Sequence, residues 1–243
     1  MGKLYVVGIG PGDYDNMTVR ADRALGESGV IVGYSVYVDL VKDRYPGKEY
    51  RTTVMTQEAD RCRLALDIAR EGKTVSMVCS GDSGIFGMAA LVYGLRGEAA
   101  EPEVEVIPGL TAACSGAALL GAPLTHDFAV ISLSDRLTPW EKIAARLRAA
   151  AGADLSIALY NPASRGRPDH LRRACDILLE TLPGDRPCGI ARMIGREGET
   201  GTVLTLAELR DTRVDMFCTV FIGNAQTKLM GGKIITPRGY RDV

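Results

Sequence analysis

The sequence predicts an α/β protein made of two α/β domains with a ligand cleft between them, the first with a mostly parallel sheet and the second with a mixed sheet. Three observations carry this reading. Strand-like and helix-like runs alternate along the 243 residues, the order that gives parallel strands joined by crossover helices. Several runs of β-branched and aromatic residues end abruptly in glycine or polar residues, and the carboxyl ends of strands are where open α/β sheets place their ligand crevices. The alternation breaks once, at Gly121-Ala122-Pro123 ahead of Thr125-His126-Asp127, which puts the domains at 1–121 and 122–243.

Taken in order, residues 4–8 read as a strand, 18–25 as a helix ending near Gly29, and 30–32 as a short second strand. Residues 57–70 place Cys62, Ala65, Leu66 and Ala69 at i, i+3, i+4 and i+7, one face of an amphipathic helix. Residues 74–79 form a buried strand that stops at Ser80-Gly81-Asp82, and 85–95 the helix after it. A strand at 104–107 closes at Pro108-Gly109, and 110–120 is a helix of small residues able to lie close against a sheet. Beyond the break, 128–132 is a strand. The helix at 140–151 carries Trp140, Ile143, Ala144 and Leu147 at helical spacing, and that at 169–182 carries Leu171, Ala174, Cys175, Leu178 and Leu179. Further strands fit 155–160, 188–193, 199–204 and 217–222, with antiparallel pairing around 199–205.

Composition narrows the classes of function. Hydrophobic residues make up 46% and charged residues 24%, an ordinary globular balance. A net charge of −1 lacks the basic footprint of a nucleic-acid-binding domain. No apolar run reaches the roughly 20 residues of a membrane span, and Met1-Gly2-Lys3 leads straight into Leu4-Tyr5-Val6-Val7 without a signal-peptide pattern. The expectation is a cytoplasmic protein that engages neither membrane nor nucleic acid. The six cysteines contain no C-x-x-C pair, and His126 and His170 stand apart from any ligand set, so no metal site is expected. The cysteines read as small core residues.

Three glycine-rich turns follow strands: Gly8-Ile9-Gly10-Pro11-Gly12-Asp13, Ser80-Gly81-Asp82-Ser83-Gly84-Ile85-Phe86-Gly87 and Pro108-Gly109-Leu110-Thr111-Ala112. The first is not a dinucleotide fingerprint, because Asp13 occupies the third glycine position and Pro11 removes an amide. A phosphate-binding P-loop is absent as well. Each turn alone is compatible with a plain strand-to-helix connection, Asp82 or Ser83 serving as helix cap. If the strands are parallel neighbours, the three turns line one crevice.

Together these strings resemble the class III S-adenosylmethionine methyltransferases, the tetrapyrrole methylase family, over essentially the whole chain. The family pattern is a G-x-G-P-G loop with a downstream Thr18, the Gly81-Asp82-Ser83 loop, the Pro108-Gly109-Leu110-Thr111-Ala112 turn and an apolar strand ending near Tyr160. Ser132-Leu133-Ser134-Asp135 with Leu137-Thr138-Pro139-Trp140, Tyr160-Asn161-Pro162-Ala163-Ser164-Arg165, Gly223-Asn224 and Thr236-Pro237-Arg238-Gly239-Tyr240 resemble the branch that methylates carbon 17 of precorrin-3-type macrocycles in cobalamin biosynthesis and contracts the ring.

The resemblance implies S-adenosyl-L-methionine, released as S-adenosyl-L-homocysteine, held in a trough between two domains of a homodimer. It implies cofactor contacts from Pro11, Ser80, Gly81, Asp82, Ile85, Thr111, Ala112, Tyr160, Asn161 and Met193. The implied substrate is a tetrapyrrole, precorrin-3B or cobalt-factor III. Its many carboxylates call for arginines, and Arg165, Arg167 and Arg238 lie in suitable loops. Ring contraction calls for a base, for which Tyr34, His126, Asp13 and Asp135 are the loop candidates. One departure stands out. Uroporphyrinogen methylases of the family have a Tyr-Asp pair after the second strand, where this chain has Gly33-Tyr34-Ser35, so that acid's role does not carry over. Alternatives are another precorrin methylase of different regiochemistry, a methyltransferase acting on RNA or protein, and a non-enzymatic nucleotide-binding module.

Overall fold

A computed structural model describes residues 2–54 and 56–240. The chain divides into two compact units, 1–112 and 113–243.

The first unit is built on β1 (Lys3–Gly8), β2 (Val30–Tyr34), β3 (Glu49–Thr53), β4 (Thr74–Cys79) and β5 (Glu103–Ile107). They form one sheet in the order β3-β2-β4-β1-β5, with every pairing parallel. Alternation along β1 sorts its side chains onto two faces. Tyr5 and Val7 pack with Ala21, Ala24 and Leu25 of α1 (Val19–Glu27). Leu4 and Val6 pack with Cys62, Ala65 and Leu66 of α3 (Glu58–Arg70) and Val92 of α4 (Ala89–Arg96); between the two in sequence, the short α2 (Ser35–Asp39) follows β2. Each fully buried Leu, Ile or Val contributes about 1.5–3 kcal/mol, so both faces are needed to hold the sheet. Thr18 starts α1 by accepting the Ala21 N–H at 3.1 Å, an N-cap.

The neighbours β1 and β4 are thus followed by helices on opposite faces of the sheet. That is the topological switch point at which doubly wound sheets open a crevice.

The second unit holds β7 (Phe128–Ser132), β8 (Ser156–Tyr160), β9 (Pro187–Arg192), β10 (Thr200–Thr205) and β11 (Cys218–Ile222), in the order β10-β9-β11-β8-β7. β7 and β8 are parallel, and the other pairings are antiparallel, a mixed sheet as the sequence predicts. Helices α6 (Trp140–Gly152), α7 (His170–Leu178) and α8 (Leu206–Asp211) bury one face with Ile157, Leu159 and Val220. The opposite face, with Ala158, Ala191 and Phe221, is covered by α5 (Ala112–Leu120). The small residues of α5 permit this, since a Cβ on Gly116 would come within 3.0 Å of Ala191, Ile194 and Phe221 side chains. A small sheet of β6 (Gly121–Ala122), β12 (Lys228–Met230) and β13 (Lys233–Ile235) completes the unit.

Three expectations shift in detail. The helix expected at 85–95 begins only at Ala89, because the Asp82 carboxylate captures the Gly84 and Ile85 N–H groups and Phe86 turns left-handed at φ 54°. The helix expected at 169–182 ends at Leu178, and the chain leaves it through short turns. Of the six cysteines, Cys62, Cys79, Cys175, Cys188 and Cys218 are buried as expected, whereas Cys114 is exposed. Burial pushes the Cys62 thiol up to about 12 and the Cys79 thiol up to about 11, which removes both as nucleophiles near neutral pH. Among the described residues no helix is long and apolar enough to cross a membrane.

Candidate functional site

In the first unit the turns after β1, β4 and β5 interlock. Gly10 and Gly81 form an antiparallel bridge, N–H to carbonyl at 3.1 Å in one direction and 2.7 Å in the other. A Cβ at Gly8 would sit 2.6 Å from the Gly109 nitrogen, and one at Gly109 would sit 2.1 Å from the Gly81 carbonyl oxygen. Those distances are below any real contact, so glycine here serves backbone-to-backbone packing. Pro11, Ser80, Gly81, Asp82 and Thr111 are thereby gathered at one edge of one sheet.

Asp82 is the clamp of this cluster. Its Oδ1 accepts the N–H groups of Gly84 at 2.7 Å and Ile85 at 2.8 Å. Its Oδ2 accepts the Gly109 N–H at 2.9 Å. One carboxylate therefore shapes its own loop and ties it to the loop after β5. Behind it, the buried Ser83 hydroxyl donates to the Ile107 carbonyl at 2.9 Å. The loop pushes apolar side chains outward: Ile85 is 42% and Phe86 53% exposed. A bulky residue held left-handed costs of order 1–3 kcal/mol and is typical of ligand-binding loops. Asp13 is engaged in its own turn, its Oδ1 accepting the Asn16 N–H at 2.7 Å. Tyr34 ends β2 with its ring edge-on to Tyr37 at 5.2 Å.

In the second unit the carboxyl ends of β7, β8 and β9 lie on one edge of the sheet, as their pairings require. Asn161, after β8, and Met193, after β9, are both left-handed, at φ 54° and 52°. The Tyr160 hydroxyl accepts the Ala113 N–H at 2.7 Å and so fixes the first turn of α5. Asn161 Nδ2 donates to Ser132 Oγ at 2.9 Å, and the same oxygen accepts the Ser134 N–H at 3.2 Å.

Arg167 donates from Nη1 to Ser134 Oγ at 3.0 Å and lies 3.4 Å from Asp135 Oδ1. It is a scaffold for the 132–135 loop as much as a rim charge. Buried His170, 4.9 Å centroid to centroid from Trp140, brings Nε2 within 3.3 Å of Asp135 Oδ2 but off hydrogen-bonding direction. Desolvation pulls the Asp135 carboxyl up, but the Arg167 hydrogen bond and the neighbouring His170 and Arg167 outweigh it and hold it below the usual carboxylate range. A carboxylate so held is a weak base near neutral pH.

His126 Nδ1 accepts the Asp127 N–H at 2.8 Å. The neutral ring then carries its proton on Nε2, ready to donate. Arg165 and Arg238 are exposed.

Other strings have structural jobs. Asn224 and Thr227 are buried, and the Thr227 hydroxyl pairs with Thr236 Oγ1 at 2.8 Å, which donates to the Pro123 carbonyl at 2.8 Å. The Gly223-Asn224 and Thr236-Pro237 strings thus lock the end of β11 to the C-terminal hairpin. Sequence reasoning missed Ser132 and His170 as partners of the Asn161 and Asp135 loops, although the serine-rich Ser132-Leu133-Ser134 string at a strand end was the available signal.

Residues 3–210 match the family model for Tetrapyrrole (Corrin/Porphyrin) Methylases. A probable cobalt-factor III C(17)-methyltransferase from Salmonella typhimurium is 45% identical over 98% of this chain and 99% of its own length. The crystal structure of the methyltransferase CobJ superposes with a TM-score of 0.90 at 39% identity, covering 98% of this chain and 100% of that one. A uroporphyrin-III C-methyltransferase from Thermus thermophilus, solved with S-adenosyl homocysteine, shares the fold at a TM-score of 0.69 and 24% identity, over 91% of this chain and 92% of that one.

Proposed function

Because this chain belongs to the tetrapyrrole (corrin/porphyrin) methylases, we propose that it is an S-adenosylmethionine-dependent C-methyltransferase of cobalamin biosynthesis. Its substrate is a tetrapyrrole of the precorrin-3B or cobalt-factor III type, methylated at carbon 17 with contraction of the ring. The observation that carries the cofactor reading is the Asp82 clamp at the switch point of the parallel sheet. When bound, S-adenosylmethionine supplies a methyl group on a sulfonium, which needs no further activation.

The chain's own work in methyl transfer is alignment, which is worth several kcal/mol when reacting atoms are held in line. The glycine-packed turns hold the three loops against one another and so fix where their backbone stands. Pro11, Ser80, Gly81, Asp82, Ile85, Thr111 and Ala112 are the proposed contacts on the first unit. Tyr160, Asn161 and Met193 are the proposed contacts on the second, and the left-handed backbone at the last two supports the choice.

For ring contraction the four candidate groups separate. Asp135 is held ionised by Arg167 and His170, and Asp13 is spent on its own turn. His126 is set as a donor, its Nδ1 already accepting the Asp127 N–H at 2.8 Å. We assign His126 the role of polarising a substrate oxygen through Nε2–H, which leaves Tyr34 as the remaining candidate base. A His126→Phe variant that contracts the ring at full rate would remove His126 from this role.

The protein is proposed to act as a homodimer in the cytoplasm. Light scattering returning the 26.0 kDa of one chain at micromolar concentration would contradict the dimer. The activity itself is tested by incubating the protein with S-adenosylmethionine and either macrocycle, and reading methylation by mass and contraction by absorbance. No turnover of either substrate would overturn the reading.

A further inference from the structure

The second unit contains a cavity of about 800 Å³ whose wall includes Ser164, Arg165, Asp169, Arg172, Arg210 and Arg213. That volume falls within the ordinary range for small-ligand pockets. Its arginines are of two kinds. Arg172 donates to Asp211 at 3.0 Å, and Arg210 donates to Asp176 at 2.6 Å and to Asp211 at 3.1 Å. These pairs neutralise one another and brace α7 against α8. Asp215, also on the wall, is held by Arg192 at 2.9 Å.

Arg165 and Arg213 differ. Both are exposed, and neither has an ion-pair partner among the described residues. The acid left to oppose these two unpaired cations is Asp169, whose side chain makes no cap to its helix. Arg165 is also held ready. Ser164 and Arg167 exchange backbone hydrogen bonds at 3.2 and 2.9 Å, and Arg167 Nε donates to Ser164 Oγ at 3.1 Å. The turn is therefore closed at its base, with Arg165 and Gly166 at its tip.

We propose that this cavity is a carboxylate-binding site for the acidic side arms of a tetrapyrrole, with Arg165 and Arg213 as the two guanidinium groups that pair with them. The proposal rests on the tetrapyrrole reading above and deepens it by assigning where the macrocycle's charge is met. Guanidinium suits the task, because it engages a carboxylate with two parallel N–H groups. Arg167, tied to Ser134 and Ser164, acts by holding the turn.

The test uses the full chain with Arg165→Gln, Arg213→Gln and their double variant, and Arg23→Gln as an exposed, charge-matched control in the first unit. The probes are uroporphyrin, coproporphyrin with its fewer carboxylates, citrate and inorganic phosphate, each titrated by calorimetry at low salt. Neither arginine has a partner to lose, so the thermal midpoints of the variants should equal that of the wild type. Each single variant should bind uroporphyrin about tenfold more weakly, the effect of losing one charge-assisted pair, and the control should be unchanged. Coproporphyrin should bind wild type less tightly than uroporphyrin.

Equal uroporphyrin affinity in wild type and double variant would overturn the proposal while leaving the methyltransferase reading intact. Citrate binding that the variants lose, with no binding of either porphyrin, would keep the carboxylate site and overturn the tetrapyrrole reading beneath it. Phosphate binding tighter than citrate would overturn the carboxylate assignment, as would failure of every probe to bind the wild type.

Discussion

Replacing Asp82 by asparagine probes the loop cluster more sharply than replacing it by alanine. Oδ1 takes two N–H groups from its own loop, at 2.7 and 2.8 Å, and Oδ2 takes the Gly109 N–H at 2.9 Å across to the next loop. Asparagine keeps one carbonyl oxygen for Gly84 and Ile85 but turns an NH2 toward the Gly109 N–H, donor against donor. Alanine removes both acceptor oxygens and with them all three hydrogen bonds. Each hydrogen bond to a charged group contributes about 1.5–3 kcal/mol, and a buried donor left unpaired costs about 1–3 kcal/mol. Asp82 is half-buried, so the low end applies. Asp82→Asn, which loses one bond, should destabilise the protein by about 1–2 kcal/mol, and Asp82→Ala, which loses three at about 1.5 kcal/mol each, by about 4–5 kcal/mol. The assay is urea unfolding, followed by calorimetric titration with S-adenosylhomocysteine. If the clamp organises a cofactor loop, Asp82→Asn should weaken binding by about tenfold, or about 1.4 kcal/mol. A folded Asp82→Asn variant with wild-type stability and affinity would refute the reasoning.

Gly109→Ala, with its Cβ placed 2.1 Å from the Gly81 carbonyl oxygen, must push the two loops apart. Its thermal midpoint should fall and its S-adenosylhomocysteine affinity should drop more than tenfold; a variant matching wild type in both would refute the packing role. At Asn161, glycine accepts φ 54° freely and alanine does not. Both lose the bond to Ser132, so Asn161→Gly should be more stable than Asn161→Ala by roughly 1 kcal/mol in urea, and equal midpoints would contradict the strain. Asp135 gives a pH signature. Its carboxyl is held below its ordinary value, so its contribution is present above the unfolded pKa, about 3.9, and is lost as pH falls through the folded value. The stability gap between wild type and Asp135→Asn should therefore be constant near neutrality and close on the acid side. A gap that persists unchanged below the folded value would refute the pairing with Arg167 and His170.

Much of the first sheet was legible because buried parallel strands are continuous apolar runs between glycines. Strand β4 has the ends the sequence predicts, since Val75-Ser76-Met77-Val78-Cys79 is bounded by Gly72 and Gly81. Strand β3 escaped notice because it lies at the sheet edge and its Glu49–Thr53 segment is polar. Helix α8 is short, yet its Thr205-x-x-Glu208 capping box was in plain view. The site loops were legible as glycine turns after strands, but their internal roles were not. In the sequence Asp82 reads as a ligand-facing acid, and its second role, holding Gly109 27 residues away, shows only in the fold. Nothing local to Gly223-Asn224 or Thr236 announces that they hold each other in place, because the contact closes through tertiary pairing. The Arg213 side of the cavity was equally hidden, since a lone exposed arginine in a loop carries no pattern.

The most direct test of the account is the position of the new methyl group. The protein would be incubated with S-adenosylmethionine carrying carbon-13 in its methyl group, together with cobalt-factor III or precorrin-3B, and the product examined by carbon-13 NMR and mass spectrometry. The account predicts a single labelled methyl on carbon 17 of a ring-contracted macrocycle. A label on any other carbon, or none on either macrocycle from a folded protein that binds S-adenosylhomocysteine, would contradict it.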